Sequence, residues 1–354
     1  MKLITLLQKA VQSGASDIFI IAGRPIALNI NYTLLDVDEE KLMPADTEEL
    51  IKEIYANAPG RSVENMSVIG SEDFSLTIRG LSRFRVSAYM QRGSYAAVVR
   101  VISFEMPDPI QLGIPEKIMG LTEKKKGMVL VTGSAGSGKS TTLACMIDRI
   151  NSTQSKHIIT LEDPLEYIHN HKKSIVTQRE IGTDARDYLS AIKASLRQRP
   201  DVILLGEMRD IETISVALTA AETGHMIFST LHTMGAASTI DRILDAFPPD
   251  QRHQVATQLS MILEAVVSQQ LLPAKVGTVV LATELMMMNS AIRNIIRENK
   301  IHQLDNVIYS AQDSDMISMD TSILKLYKDG KITEKTAVQY AINQDMMKKK
   351  LAIE

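Results

Sequence analysis

The segment 133–140, which reads GSAGSGKS, constrains the fold more strongly than any other stretch of this 354-residue chain. It fits the pattern Gly-x-x-x-x-Gly-Lys-Ser without a gap. The apolar run 128–131 precedes it and predicts a buried strand. After it, apolar residues recur at the spacing of one helix face: Leu143, Met146, Ile147 and Ile150. A strand, a glycine-rich loop and a helix in this order form the context in which the pattern predicts phosphate binding.

The chemistry expected of this loop is anion binding. Glycine adopts backbone angles that are closed to other residues, so consecutive N–H groups can turn toward one centre. The free amides and the dipole at the start of the following helix add partial positive charge. We predict that Lys139 reaches the β- and γ-phosphates of a nucleoside triphosphate and that the Ser140 hydroxyl binds Mg²⁺. The alternative is a glycine-rich turn without a ligand. The predicted binding residues are Gly133, Ser134, Ala135, Gly136, Ser137, Gly138, Lys139, Ser140 and Thr141.

Two further apolar runs end in carboxylates. The run 202–205 is followed by Gly206, where a magnesium-binding Asp is common, and then by Glu207. The run in HIITLEDPLEYIH ends at Glu162. Ligands of open parallel sheets gather at the carboxyl ends of the strands. We therefore predict that Glu162 activates the attacking water and that Glu207 belongs to the magnesium shell, partly through water. Glu166 is the alternative base.

Two histidines lie at the ends of the predicted strand in ETGHMIFSTLHT. His232 follows the carboxyl end, where ligands bind, and is predicted to sense the γ-phosphate. His225 is at the opposite end and is predicted to be structural. Their spacing does not suggest a zinc site, which would also need thiolates.

The composition is that of a globular chain, with 45% hydrophobic and 23% charged residues. The net charge of -3 argues against a broadly basic nucleic-acid-binding surface. The lone cysteine, Cys145, excludes an internal disulfide and a multi-cysteine zinc site, and we expect it to be a small buried side chain. No apolar run is long enough to span a bilayer, and the N-terminal residues have amphipathic spacing instead of a signal-peptide block. A cytoplasmic protein is expected.

Three consecutive segments of the chain differ in their sequence patterns. Residues 1–103 contain a helix and short alternating runs that predict antiparallel strands, with hairpin turns at Asn31-Tyr32 and Arg92-Gly93. Residues 104–117 are proline-rich and predict a linker. From 118 to 354, apolar runs alternate with helical patterns, which predicts an α/β domain with a mostly parallel sheet and helices on both faces. A helical tail is expected from about 290 to 354.

Four motifs in this order resemble the ATPases of type II secretion and type IV pili. GSAGSGKST is similar to that family's Walker A loop, ITLEDPLEYIH to its Asp box, RPDVILLGEMRDIET to its atypical Walker B and AAETGHMIFSTLHT to its His box. ASDIFIIAGRP and AIRNIIRENK (291–300) look like the PilT-like retraction branch, the twitching-motility motors. The usual Asn-Gly of the family's first hairpin is replaced here. Assembly-branch relatives carry a four-cysteine zinc loop, which this chain lacks.

This resemblance implies a ring of six identical subunits that hydrolyses ATP with Mg²⁺. It implies a PAS-like N-terminal α+β domain and a RecA-like P-loop domain, with ATP held between them. Arg85 and Arg100 match the family's arginines that reach the phosphates, with Arg83 on the same strand face as Arg85. The implied partner is an inner-membrane pilus platform protein, contacted peripherally at the cytoplasmic face, and no nucleic acid is expected. The alternatives are an assembly or secretion ATPase, a RecA-like nucleic-acid motor and a non-hydrolysing nucleotide sensor.

Overall fold

The structure is a computed structural model that describes residues 2–30, 33–58, 60–102, 106–277, 279–311 and 316–352. The chain divides into two compact units. The first unit comprises Met1–Glu105 together with the short segment Glu166–Ile168. The second comprises Met106–Leu165 and His169–Glu354.

The described residues of the first unit form an antiparallel sheet and three helices. The sheet has six strands in the order β3-β2-β1-β6-β5-β4. In chain order its elements are α1 (Leu3–Gln12), β1 (Asp17–Ile20), β2 (Ala27–Ile30), β3 (Thr33–Asp36), α2 (Pro44–Ala56), α3 (Val63–Ile69), β4 (Ser71–Ile78), β5 (Ser82–Gln91) and β6 (Ser94–Ile102).

The alternation of side chains along β5 shows how the sequence builds this sheet. Phe84, Val86 and Ala88 are fully buried, while Arg83 and Arg85 lie half-buried on the other face, as predicted. The predicted hairpin at Arg92-Gly93 is confirmed: both residues have positive φ, 50° and 77°, which suits a two-residue turn between β5 and β6. Asn31 and Tyr32, where the other hairpin turn was predicted, lie outside the described residues.

The second unit is built on a sheet of seven strands in the order β13-β12-β7-β11-β10-β8-β9. All neighbouring pairs are parallel except β12 with β13. Its strands are β7 (Gly127–Thr132), β8 (His157–Glu162), β9 (Ile175–Glu180), β10 (Val202–Leu205), β11 (Met226–Leu231), β12 (Leu263–Pro273) and β13 (Val279–Met287).

Helices follow most of these strands. In chain order they are α4 (Glu116–Met119), α5 (Lys139–Thr153), α6 (Tyr188–Ser195), α7 (Ile211–Glu222), α8 (Ala236–Asp245), α9 (Arg252–Ile262), α10 (Ser290–Arg297), α11 (Leu304–Ser310), α12 (Met319–Lys328), α13 (Glu334–Tyr340) and α14 (Gln344–Ala352). Short 3-10 turns occur at Gly120–Glu123 and Ile301–Gln303.

Separate hydrophobic cores cover the two faces of this sheet. One core packs α6 to α10 against one face, and the other packs α4 and α5 against the opposite face. Strands buried on both faces read as continuous apolar runs, which is why β7, β8, β10 and β11 were predictable. The predicted α/β arrangement, a mostly parallel sheet with helices on both faces, is confirmed. Strands β9 and β12 were not predicted.

A third core of this unit joins α12, α13 and α14 to β12 and β13. Near it, the buried carboxylate of Glu284 on β13 accepts the N–H of Ala236, the first residue of α8, at 2.9 Å. Its other oxygen accepts the N–H of Met319, the first residue of α12, at 3.4 Å. One carboxylate therefore caps two helices. None of the helices in the described part of the chain combines the length and the apolar character that spanning a bilayer requires.

Candidate active site

The loop after β7 requires glycine where the backbone turns. Gly133, Gly136 and Gly138 all have positive φ, at 140°, 75° and 87°. A Cβ on Gly133 would overlap the Gln269 carbonyl oxygen and lie 2.6 Å from the Ser137 hydroxyl oxygen. A Cβ placed on Gly136 would have none of the described neighbouring atoms within 4 Å. The loop therefore packs tightly against β12 where it begins and is open at its tip.

Lys139 places a positive charge inside this loop. It is the first residue of α5, and only 7% of it is exposed. Its ammonium nitrogen donates to the carbonyl oxygens of Gly133 at 3.0 Å and Ser134 at 2.9 Å. The first turn of α5 adds backbone N–H groups and the positive end of its dipole.

The residues of the loop fit a phosphate group. The Ser137 hydroxyl is buried and has no hydrogen-bond partner in the described part of the chain. Ser134, Ala135 and Gly136 form an exposed rim above the buried Ser137 and Lys139. An unsatisfied hydroxyl, a buried ammonium and a helix N-terminus that converge on one loop are the features expected of an anion-binding site.

The strand order brings the other predicted residues to the same edge of the sheet. His232 follows β11, Glu207 follows β10 and Glu162 ends β8. In the sheet, β11 lies next to β7, β10 lies next to β11, and β8 lies next to β10. The register pairs Leu231 with Thr132 and Leu205 with Leu161. With strands about 4.8 Å apart, β8 lies roughly 14 Å from β7 along the sheet. Glu162 is thus the most distant of the three carboxyl-edge groups from the loop, and Glu207 is one strand nearer.

Glu207 is the centre of a small charged cluster. It is 9% exposed, and one of its carboxylate oxygens lies 2.6 Å from Arg209 Nε and 3.7 Å from His232 Nε2. The hydrogen bond from Arg209 to this carboxylate raises the pKa of Arg209. His225, at the other end of β11, contacts the Ala220 carbonyl oxygen through Nδ1 at 2.9 Å, a contact that suits a structural role.

Tyr188 is a site residue that the sequence reasoning missed. It begins α6, and its hydroxyl oxygen lies 2.8 Å from the position that a Cβ on Gly206 would take. Burial raises the pKa of the Tyr188 phenol, and the charges of Glu207, Asp163 and Glu162 raise it further. No sequence signal pointed to Tyr188, because tertiary folding alone brings it to the strand ends.

The predicted arginines belong to the first unit and are described separately. Arg85 on β5 lies directly opposite Arg100 on β6, and Arg100 lies opposite Asp17 on β1. The Arg100 Nε lies 2.9 Å from an Asp17 carboxylate oxygen. Two cations opposite each other in a sheet repel, and Asp17 offsets this repulsion. Glu166, the alternative base, is exposed and belongs to the segment grouped with the first unit.

The donors at the edge of the sheet suit magnesium more than a transition metal. In the described part of the chain, no group of three His, Cys, Asp or Glu side chains is arranged to hold a metal ion. Mg²⁺ typically uses one or two protein oxygens, completed by phosphate oxygens and water. The Ser140 hydroxyl and the Glu207 carboxylate provide ligands of this kind, and their roles stay predictions.

Comparison with known proteins identifies the family. The chain matches the family described as type II/IV secretion system protein over residues 1–279. It is 40% identical to the type IV pilus retraction ATPase PilT of Pseudomonas aeruginosa over 341 residues, which cover 96% of this chain and 98% of that protein. It is 47% identical to the twitching motility protein of Neisseria gonorrhoeae over 276 residues, 78% of this chain and 74% of that one.

A solved structure gives the same result. The crystal structure of the pilus retraction motor PilT with bound ADP superimposes with a TM-score of 0.91 and 45% sequence identity, covering 99% of both chains. The family and the α/β ATPase fold predicted from the four motifs are thereby confirmed. The chain therefore belongs to the type II/IV secretion system protein family and is a nucleotide-using ATPase of that family.

Proposed function

We propose that this chain is the ATPase that powers type IV pilus retraction, with ATP and Mg²⁺ bound at the loop 133–141. The observation that carries the proposal is the likeness to the pilus retraction motor over nearly the full length of both chains. The tightly packed glycine loop and the buried ammonium of Lys139 support ATP as the substrate.

Each group at the carboxyl edge of the sheet has a proposed role. The loop amides and Lys139 hold the β- and γ-phosphates, and the Ser140 hydroxyl and Glu207 hold Mg²⁺, Glu207 partly through water. Bound magnesium would neutralise phosphate charge as it develops. Arg209 orients the Glu207 carboxylate, and His232 senses the γ-phosphate beside it. Arg85 and Arg100 add positive charge to the phosphates.

The proposed reaction is in-line attack of water on the γ-phosphorus. Glu162 accepts a proton from the water, the new P–O bond forms, and the bond to the ADP oxygen breaks, giving ADP and inorganic phosphate. Catalysis of this kind depends mainly on positioning and electrostatics. The position of Glu162, three strands from the loop, fits a base that acts on water beyond the γ-phosphate.

At the level of the assembly we propose a ring of six identical subunits. Residues 1–103 and 118–354 form its two domains, joined by the linker 104–117. The ring contacts an inner-membrane platform protein peripherally, at the cytoplasmic face, and binds no nucleic acid. Closure of the domains in response to the phosphate state is the proposed source of movement.

Phosphate release by the purified protein tests the chemistry. We expect Lys139→Ala to abolish turnover, because the γ-phosphate loses its buried cation. Glu162→Gln is expected to keep ATP binding and lose hydrolysis, while the matched variant Glu166→Gln keeps both. Full activity of Glu162→Gln together with loss of activity in Glu166→Gln would show that Glu166, and not Glu162, activates the water.

Deletion of the gene tests the direction of the motor. We expect cells that carry more surface pili than the parent and do not retract them, and a Lys139→Ala copy should not restore retraction. Cells without pili would instead indicate an assembly ATPase. Stimulation of the ATPase by DNA, with the steep salt dependence of phosphate contacts, would indicate a nucleic-acid motor.

A further inference from the structure

Gly206 is held firmly between two neighbouring strands. Its N–H donates to the Leu161 carbonyl oxygen of β8 at 2.8 Å, and its own carbonyl oxygen accepts the Thr230 hydroxyl of β11. The backbone here cannot shift without breaking one of these bonds. The space in front of Gly206, at the carboxyl end of β10, is therefore fixed by the sheet.

The Tyr188 phenol occupies that space. A Cβ on Gly206 would lie 2.8 Å from the Tyr188 hydroxyl oxygen, 3.3 Å from the Leu161 carbonyl oxygen and 3.4 Å from the Glu162 Cα. A contact of 2.8 Å is closer than carbon and oxygen approach without a bond, so any side chain at position 206 would displace the phenol. Gly206 and Tyr188 are therefore complementary.

The surroundings of the hydroxyl are acidic. Tyr188 is half-buried, and after burial itself the negative charges of Glu207, Asp163 and Glu162 contribute to raising the pKa of its phenol. An aspartate at position 206 would bring a fourth negative charge to the same place, where like charges repel at short range. A phenol fills the same place without adding a charge.

We propose that Tyr188 is a positioning residue of the ATPase site, whose hydroxyl takes the place of a side chain at position 206 and sets the orientation of Glu162 and Glu207. The proposal rests on the proposed ATPase function. It explains why glycine stands at the end of β10: the aromatic ring comes from α6, and only glycine leaves room for its hydroxyl.

The variant Tyr188→Phe tests this directly, because it removes the hydroxyl and keeps the ring. We expect kcat for ATP hydrolysis to fall roughly ten-fold, because the space that the hydroxyl fills in front of Gly206 and beside the Glu162 backbone is left empty and the two carboxylates are held less firmly. The KM for ATP should change little, because the phosphate loop follows another strand. Tyr327→Phe on α12, outside the site, is the matched control and should keep the parental kcat.

A double-mutant cycle with Gly206→Ala separates positioning from a general loss of packing. Every other atom lies at least 3.3 Å from the added Cβ, so removing the hydroxyl removes the worst overlap. Gly206→Ala should therefore reduce kcat much more in the parent than in the Tyr188→Phe background. Additive effects, or a parental kcat in Tyr188→Phe, would overturn the role of Tyr188.

The outcome also separates this proposal from the function on which it rests. If the parental protein releases no phosphate, or if Lys139→Ala releases it at the parental rate, the ATPase proposal itself fails. If the parent is active, Lys139→Ala is inactive and Tyr188→Phe is unchanged, only the proposal for Tyr188 fails.

Discussion

Replacing Gly133 with alanine should destabilise the second unit far more than the same change at Gly136. Both glycines have positive φ, so each alanine suffers backbone strain. Only the Gly133 variant also overlaps its neighbours, because its Cβ meets the Gln269 carbonyl oxygen and the Ser137 hydroxyl. Gln269 belongs to β12, whose pairing with β7 prevents its backbone from moving aside.

The two variants differ in expected magnitude. For Gly133→Ala, strain of about 1–3 kcal/mol and overpacking of about 1–3 kcal/mol sum to roughly 4 kcal/mol at the middle of the range. Gly136→Ala carries strain alone, about 1 kcal/mol, because its φ of 75° lies near the left-handed helical region that other residues can enter at this cost, unlike the φ of 140° at Gly133. In a unit of this size, 1 kcal/mol corresponds to about 2–4 °C in melting temperature. We therefore expect losses of roughly 8–16 °C and roughly 2–4 °C, respectively.

Thermal unfolding of both variants without nucleotide, followed by circular dichroism, measures this difference. Omitting nucleotide matters because both glycines border the proposed phosphate site, and bound ligand would add its own stabilisation. Equal losses for the two variants would refute the reasoning, since the overlap with Gln269 would then contribute nothing.

Three further predictions concern groups outside the loop. Burial raises the pKa of the Glu284 carboxyl above its ordinary 4.5, so the folded protein binds this proton more tightly than the unfolded chain does. The free energy of unfolding therefore increases as the pH falls through the folded-state pKa toward 4.5. Glu284→Gln lacks this gain, so its melting temperature minus that of the parent should decrease from pH 7.5 to pH 5; an unchanged difference would contradict the pKa shift. Asp210→Ala removes the N-cap that accepts the Thr213 N–H at 2.8 Å, and should lower the free energy of unfolding, measured by chemical denaturation, by about 1 kcal/mol. An unchanged free energy of unfolding would show that Asp210 does not stabilise the start of α7. Burial raises the pKa of the Cys145 thiol to about 11, so a thiol reagent at pH 8 should modify it only after unfolding, and rapid modification of the native protein would show that the thiol is accessible.

The loop and its strand and helix could be predicted because their signals are local. Glycine spacing, a buried apolar strand and a helical repeat all lie within 25 residues, and each agrees with the others. The edge of the sheet at which Glu162, Glu207 and His232 gather followed from one general rule about parallel strands. Their actual order from β7 needed the structure, because strand order is set by packing of the helices on both faces.

What escaped prediction depends on contacts between distant residues. Strand β12 carries Ser268, Gln269 and Gln270, which interrupt its apolar pattern, yet all three are buried. The Gln269 side-chain nitrogen donates to the Thr142 hydroxyl on α5 at 2.7 Å, so this buried donor is satisfied by a residue 127 positions away. Tyr188 likewise meets Gly206 only in the folded chain. Sequence spacing carries no trace of either contact.

The double cap formed by Glu284 makes the starts of α8 and α12 one cooperative unit. Opening either helix start exposes a backbone N–H and removes one of the two donors of the buried Glu284 carboxylate. Burial of this carboxylate then becomes less favourable, so its hydrogen bond to the other helix is weakened as well. The Ala236 and Met319 amides should therefore exchange with deuterium together. His232 lies in the loop between β11 and α8, four residues before α8 begins. A change in this loop can therefore be transmitted to α12 through the Glu284 side chain.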